Sequence, residues 1–193
     1  MRHAVALALT MFLPAGTAAQ APATAPPPTR QGFTLGVGLG AGSGELTSEV
    51  LGVSSKAERR IDASAYVMIG GAIKPNLTLA GEVSGWRHSE GGAGASLVFA
   101  SVVALVYPSA TCGFFFKGGG GVARTELSAL GTTVDATGSA GVLGLGYDIR
   151  VSRGFALSPY VNVLLMPNFE VAGSPGVKIG GNLLQAGLAL TWQ

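Results

Sequence analysis

Residues 32–41 read GFTLGVGLGA. Phe33, Leu35, Val37 and Leu39 take every second position, with Thr34, Gly36, Gly38 and Gly40 between them. Successive side chains of a strand point to opposite faces, so period two marks a strand with one apolar face and one small or polar face. The chain as a whole has this texture: it is 48% hydrophobic and 11% charged, with 31 glycines in 193 residues. Yet past residue 21 no apolar run is long enough to cross a bilayer as a helix. A membrane barrel turns its apolar face outward to lipid and its polar or small face inward. The pattern therefore points to a location, the bacterial outer membrane, more firmly than to an activity.

Working outward, eight segments of about ten residues can be written as strands, the length a tilted membrane strand needs. They are 32–41, 60–72, 77–87, 96–107, 113–123, 136–149, 155–165 and 182–192. The stretches between them alternate long (42–59, 88–95, 124–135, 166–181) and short (73–76, 108–112, 150–154). Outer-membrane barrels pair long extracellular loops with short periplasmic turns. With the N-terminus in the periplasm, every long connection falls outside. The expected fold is all-β: an eight-stranded antiparallel transmembrane β-barrel in an up-and-down meander. The last segment is the clearest, with Leu184, Ala186, Leu188, Leu190 and Trp192 on one face and Gln185, Gly187, Ala189 and Thr191 on the other. The fourth, Leu97 to Tyr107, is apolar on both faces; read alone it could be a buried helix, and context makes it a strand.

Phe33, Tyr107, Phe114, Tyr147, Phe155 and Trp192 all fall at the periplasmic ends of their segments. Aromatic rings there form an interfacial girdle; the alternative is that aromatics simply favour strand ends. Inside, eight strands leave little room, and side chains must fill it. Glu82 and Lys117 sit mid-strand on the non-lipid face. A lysine facing lipid at mid-depth would cost about 2–4 kcal/mol, which sets the phase of the fifth segment. Opposite charges in a narrow interior should pair, so an ion pair is expected between them, with Tyr66, Tyr160, Asn162 and Gln185 as hydrogen-bonding neighbours. The alternative is separate solvation in a wet lumen.

The N-terminal residues 1–19 read as a secretory signal: Arg2 and His3, then an apolar stretch from Ala4 to Leu13, then small residues at Ala18 and Ala19. Cleavage after Ala19 is expected, with Ala18 the alternative. Residues 20–30, QAPATAPPPTR, read as a Pro-rich periplasmic linker. That leaves 31–193 for the barrel. The single cysteine, Cys112, rules out an internal disulfide and reads as a small residue in a turn, with intermolecular pairing the alternative. A net charge of +2, without a basic cluster, gives no ground for a nucleic-acid partner.

Four stretches now carry a resemblance: NLTLAGEVSGW (76–86), VYPSATCGFFFKGGGGVAR (106–124), GLGYDIRVSRGFALSPYVNV (144–163) and LLQAGLALTW (183–192). Together they resemble the outer membrane protein β-barrel domain family, the small eight-stranded barrels related to OmpA- and OmpX-type domains. The resemblance covers most of residues 31–193. It implies a monomeric closed barrel, surrounded by outer-membrane lipids and lipopolysaccharide and inserted by the outer-membrane assembly machinery. That machinery reads a terminal aromatic; here Trp192 is penultimate and Gln193 last. The resemblance carries over no catalytic residue, and no peptidoglycan-binding module is expected after the eighth segment.

No chemistry stands out. The run GVGLGAGSG (36–44) repeats glycine every second residue and precedes no helix, unlike a dinucleotide fingerprint. One mature histidine, His88, and a remote Cys112 do not make a metal site. A lipid A-modifying enzyme needs a serine within hydrogen-bond reach of a histidine. Ser84 and His88 share a face but lie about 13 Å apart along a strand. No catalytic residue, cofactor or metal is therefore expected. The remaining rivals are a narrow passive channel and a soluble, lipocalin-like barrel with its apolar face turned inward. The expected role is envelope-structural or surface interaction, carried by outer loops holding Glu45, Glu49, Lys56, Glu58, Glu90, Glu126, Glu170 and Lys178.

Overall fold

Alternation becomes strand along the whole described chain, and the regular elements are all β. The computed structural model describes residues 30–193 apart from 51–52, 57–58, 91–92, 130–131, 153 and 171–176. The expected signal segment, and the linker up to residue 29, lie outside the described residues. The strands are β1 (Gly32–Val50), β2 (Val53–Lys56), β3 (Arg60–Lys74), β4 (Leu77–Glu90) and β5 (Ala93–Val106). They continue as β6 (Phe114–Ala129), β7 (Thr132–Tyr147), β8 (Ile149–Arg150), β9 (Phe155–Glu170) and β10 (Val177–Trp192). β2 folds back on the end of β1, and the two-residue β8 pairs with the start of β9. The other eight run antiparallel, each beside the next, and β10 returns to β1 in the register Leu35↔Trp192 to Val50↔Val177. The result is a closed eight-stranded up-and-down barrel with both ends of the described chain at one rim.

Parity decides the faces. On β3, Ile61, Val67 and Ile69 are exposed while Ser64, Tyr66 and Met68 are buried. On β10, Leu184, Leu188, Leu190 and Trp192 point out, and Gln185, Ala189 and Thr191 point in. The segment without a period is β5, a strand and not a helix. Leu97, Phe99, Val103 and Leu105 fill the lumen while Val98, Val102 and Val106 cover the outside. Its two faces look alike in sequence because the interior at this wall is itself apolar.

Glycine makes that filling possible. On the inner face of β1, Gly38 lies directly across from Tyr66, and a Cβ there would come within 2.2 Å of the ring. An aromatic laid over a cross-strand glycine shields the bare backbone and pins the register.

The stretches read as long loops are mostly strand. β1 runs on through residues 42–50, β6 and β7 leave only 130–131 between them, and β4 and β5 leave only 91–92. Residues 166–170 belong to β9 and 177–181 to β10. A ladder needs backbone pairing and not an apolar face, so it continues where outward residues turn polar and the apolar alternation ends. Of the charged residues placed in loops, Glu45 pairs with Arg59 and Glu126 with Arg124 on strand surfaces. Glu58 lies outside the described residues, as do the side chains of Glu49, Lys56 and Glu90.

Candidate functional site

The polar residues of the lumen gather in layers. At mid-height Lys117 of β6 donates to both carboxylate oxygens of Glu82 of β4, at 2.7 and 2.6 Å, with both side chains almost wholly buried. The two strands are not adjacent; β5 lies between them, so the contact crosses the inside of a curved wall. Tyr66 completes the layer, its ring 4.7 Å from the lysine nitrogen and edge-on to Tyr160 at 5.0 Å. A desolvated cation over a ring face gains about 2 kcal/mol. Asn162 and Gln185 are also buried and face each other across β9 and β10. Among the described hydrogen bonds none from Tyr66, Tyr160, Asn162 or Gln185 reaches the pair, which corrects their expected role as hydrogen-bonding neighbours. Tyr66 meets the lysine through its ring face and not through its hydroxyl.

A second layer closes the rim where the described chain begins and ends, and it centres on Asp148. Arg30 lies 3.3 Å from its carboxylate and donates to the carbonyls of Ala110 at 3.3 Å and Cys112 at 2.8 Å. The same guanidinium stacks 3.4 Å above the ring of Tyr107. Tyr107 donates its hydroxyl to Asp148 at 3.1 Å, Ser158 does so at 2.8 Å, and the Gln193 amide approaches at 3.5 Å. Two sequence expectations change here. Arg30, placed at the end of the linker, is buried and belongs to the barrel. Tyr107, placed in the aromatic girdle, is 1% exposed and lies inside the lumen. Val106 points out, so parity sends the next residue in. Phe33, Tyr147, Phe155 and Trp192 lie on the outer surface at this rim, and Phe114 is half-buried against Phe116. Arg30 and Asp148 had no sequence signal beyond the GYDIR stretch, because they sit 118 positions apart.

Toward the far rim Trp86 donates its indole N–H to the Gly42 carbonyl at 2.9 Å and stacks on His88. His88 Nδ1 bonds to the Asp62 carboxylate. This contact lies where the β3–β4 ladder, last paired at Ser64↔Trp86, has given out. Ser84, the serine on the inner face of the same strand, remains four positions away. Among the described residues no cluster of three His, Cys, Asp or Glu side chains could hold a metal ion.

Between the first two layers lies a cavity of about 10 Å³ touching Tyr66, Tyr107, Lys117, Asp148 and Tyr160. One water molecule needs roughly that much. The arrangement can brace strands against each other across the lumen.

No protein-family model matches this chain, and no curated protein sequence does. Solved structures do. The outer membrane protein OprG from Pseudomonas aeruginosa aligns with a TM-score of 0.52 at 13% identity, over 84% of this chain and 97% of that one. The outer membrane protein AlkL, solved in DMPC lipid bilayers, aligns at 0.52 and 14% identity, over 92% and 97%. Neisserial surface protein A aligns at 0.50 and 13% identity, over 83% and 96%. At such identities the likeness is one of fold: this chain has the fold of small outer-membrane barrels.

Proposed function

We propose that this protein is a non-conducting barrel of the bacterial outer membrane, with its paired rim in the periplasm and its longer strand ends at the cell surface. Its role is envelope-structural or surface interaction. The observation that carries this reading is the filled lumen: a buried Glu82–Lys117 pair and an Asp148-centred cluster, with about 10 Å³ of space between them. Outward-facing apolar side chains from Phe33 to Trp192 support lipid as the surrounding medium. A soluble protein would not expose such a belt. The fold shared with OprG, AlkL and Neisserial surface protein A supports the location. A hydrolytic reading would begin from Asp62 orienting His88, but Ser84 is about 13 Å along the strand at the usual rise, out of reach of that histidine.

Planar-bilayer recording of the refolded protein tests the proposal. The native protein should give no steady conductance. A Glu82→Ala, Lys117→Ala, Arg30→Ala triple variant, with both layers thinned, should show small openings. Steady ion-selective current through the native protein would replace the proposal with a channel.

A further inference from the structure

Asp62, Trp86 and His88 form one connected group at the rim away from Arg30. The β3–β4 ladder last pairs at Ser64↔Trp86. Beyond it β3 stays bonded to β1 as far as Gly44↔Arg60, and β4 stays bonded to β5 as far as Glu90↔Ala93. Carrying the β3–β4 register on by two places would set Asp62 opposite His88 on the inner face. Side chains meet there instead, His88 Nδ1 against the Asp62 carboxylate. Trp86 ties in a third strand. Its ring crosses β3 to lie over Gly42 and Gly44 of β1, where added Cβ atoms would come within 2.5 and 3.1 Å of it. Its indole N–H donates to the Gly42 carbonyl at 2.9 Å. His88 then stacks on the indole, with 6.2 Å between ring centres and the planes 14° from parallel.

Protonation changes what this group can hold. An ionised carboxylate only accepts hydrogen bonds, so the Nδ1 facing it carries a hydrogen whether the ring is neutral or charged. The proton an imidazole takes up between about pH 8 and 5 therefore goes to Nε2 and turns a neutral donor into a cation. Two contacts change at once. The bond to Asp62 becomes charge-assisted, a class roughly twice as strong as neutral ones. The stacked indole offers its electron-rich face to a positive charge. The side chains of His88 and Asp62 are 20% and 36% exposed, so protons reach them without unfolding. Few other charges face the ring among the described side chains. On β3, Arg60 shares the face of Asp62, two positions further out; β1 presents Gly42 and Gly44, and β5 presents Ala95 opposite His88. Arg87 lies on the outer face, and Arg59 pairs with Glu45.

We infer that Asp62, His88 and Trp86 are a proton-sensitive latch on this mouth of the barrel, tightened by acid. With the imidazolium formed, β4 is held to β3 past the end of their ladder, and Trp86 is held down over β1. With the ring neutral the same contacts are weaker, and the ends of the two strands part more often. The added hold is present below the imidazole range and is lost as pH rises through it. The latch works whichever way the barrel stands in a membrane. In the orientation proposed above, the mouth faces the cell exterior, and the proton that sets it comes from outside.

Tryptophan emission tests this, because Trp86 and Trp192 are the chain's two tryptophans. The full chain with Trp192→Phe, refolded into phosphatidylcholine vesicles, reports on Trp86 alone. The titration runs from about pH 8 to about pH 5, across the imidazole range and above the ordinary carboxylate range. Trp86 emission should fall toward acid, since a protonated imidazole in contact with an indole quenches it. The rate constant for quenching by added acrylamide should fall at least twofold, because acrylamide reaches this buried ring only when the mouth opens. In His88→Gln, which can still bond to Asp62 but takes no proton, both readings should be flat with pH. In Asp62→Asn the emission should still fall, while the acrylamide rate should lose more than half of its change. If Trp192→Phe does not fold, the native chain is compared with His88→Gln, and the part of each reading that depends on His88 carries the same expectation. Emission independent of pH would show that the rings do not stack. Falling emission at a constant acrylamide rate would show a proton that closes nothing. Either result would overturn the latch, as would a pH response that survives in His88→Gln.

Discussion

Lys117 and Glu82 are a case where removing one partner and removing both should have opposite consequences. A buried charge that loses its partner costs about 3–5 kcal/mol, whereas exchanging the whole pair for apolar groups of similar volume is often neutral or favourable. Lys117→Ala or Glu82→Ala should therefore destabilise the barrel by about that amount, while Glu82→Leu with Lys117→Met should fall within about 1 kcal/mol of the native protein. Urea unfolding in phospholipid vesicles, followed by the mobility of the folded band, checks this. Single and double variants of equal stability would show that the pair is solvated and braces nothing. Asp148 invites a cycle with Arg30, since four groups converge on its carboxylate and each single deletion strands the other charge. Groups sharing one network couple by about 0.5–3 kcal/mol, so Asp148→Ala combined with Arg30→Ala should cost less than the sum of the two. Strict additivity would mean that the crossing from Arg30 to Asp148, between β7 and β8, is only a contact. Parity alone shows why the first cluster is legible in sequence and the second is not. Mid-strand charges on an alternating segment have one place to go. Arg30 sits in proline-rich chain with no period to assign it, and an aromatic such as Tyr107 at a strand end reads the same whether it faces in or out.

At the level of the strand, outward chemistry changes along each wall. On β6 the outer positions run Phe116, Gly118, Gly120 and Val122, then Arg124 and Glu126. Arg124 is ten positions from Phe114, about 25 Å along the axis at the usual rise and tilt, which matches the height of a barrel's apolar band. β6 has 16 residues and β1 has 19, so by the same arithmetic they reach about 40 and 48 Å and stand clear of the membrane. This is where sequence reading of the elements stopped short. It followed grease, and grease ends at the lipid surface while the ladder does not: Thr125↔Ala136, Glu126↔Asp135 and Leu127↔Val134 continue the pairing in polar surroundings. The end of the β7–β9 pairing at Gly141↔Leu165 has one mark in sequence, Pro167, which has no N–H to offer a ladder. A thiol scan on a Cys112→Ser background measures the boundary. Val122→Cys in vesicles should resist a membrane-impermeant maleimide, and Glu126→Cys should react at least tenfold faster. Equal rates at the two positions would mean that lipid does not end between them.

For the molecule as a whole the distance between its two polar limits is a mechanical property. The rim carrying Phe33, Tyr147, Phe155 and Trp192 fixes one limit, and the outward arginines Arg87 and Arg124 fix the other. Neither can move independently, because the ladder is continuous around the lower wall and the lumen is braced at two heights. A stiff cylinder of this kind cannot shorten or tilt freely, so mismatch falls on the lipid, at a fraction of a kcal/mol per Å. With an apolar belt of about 25 Å against a hydrocarbon thickness near 30 Å in ordinary bilayers, thin membranes should suit it better. Folding from urea into vesicles of twelve-carbon phosphatidylcholine should be faster and more complete than into eighteen-carbon vesicles, read from the heat-modifiable band over time. Substituting Arg124→Leu removes one of the polar limits and lengthens the belt on that wall, and should narrow the difference between the two lipids. A preference for the thicker bilayer, or no change on substituting Arg124, would place the upper edge of the belt elsewhere than at this row.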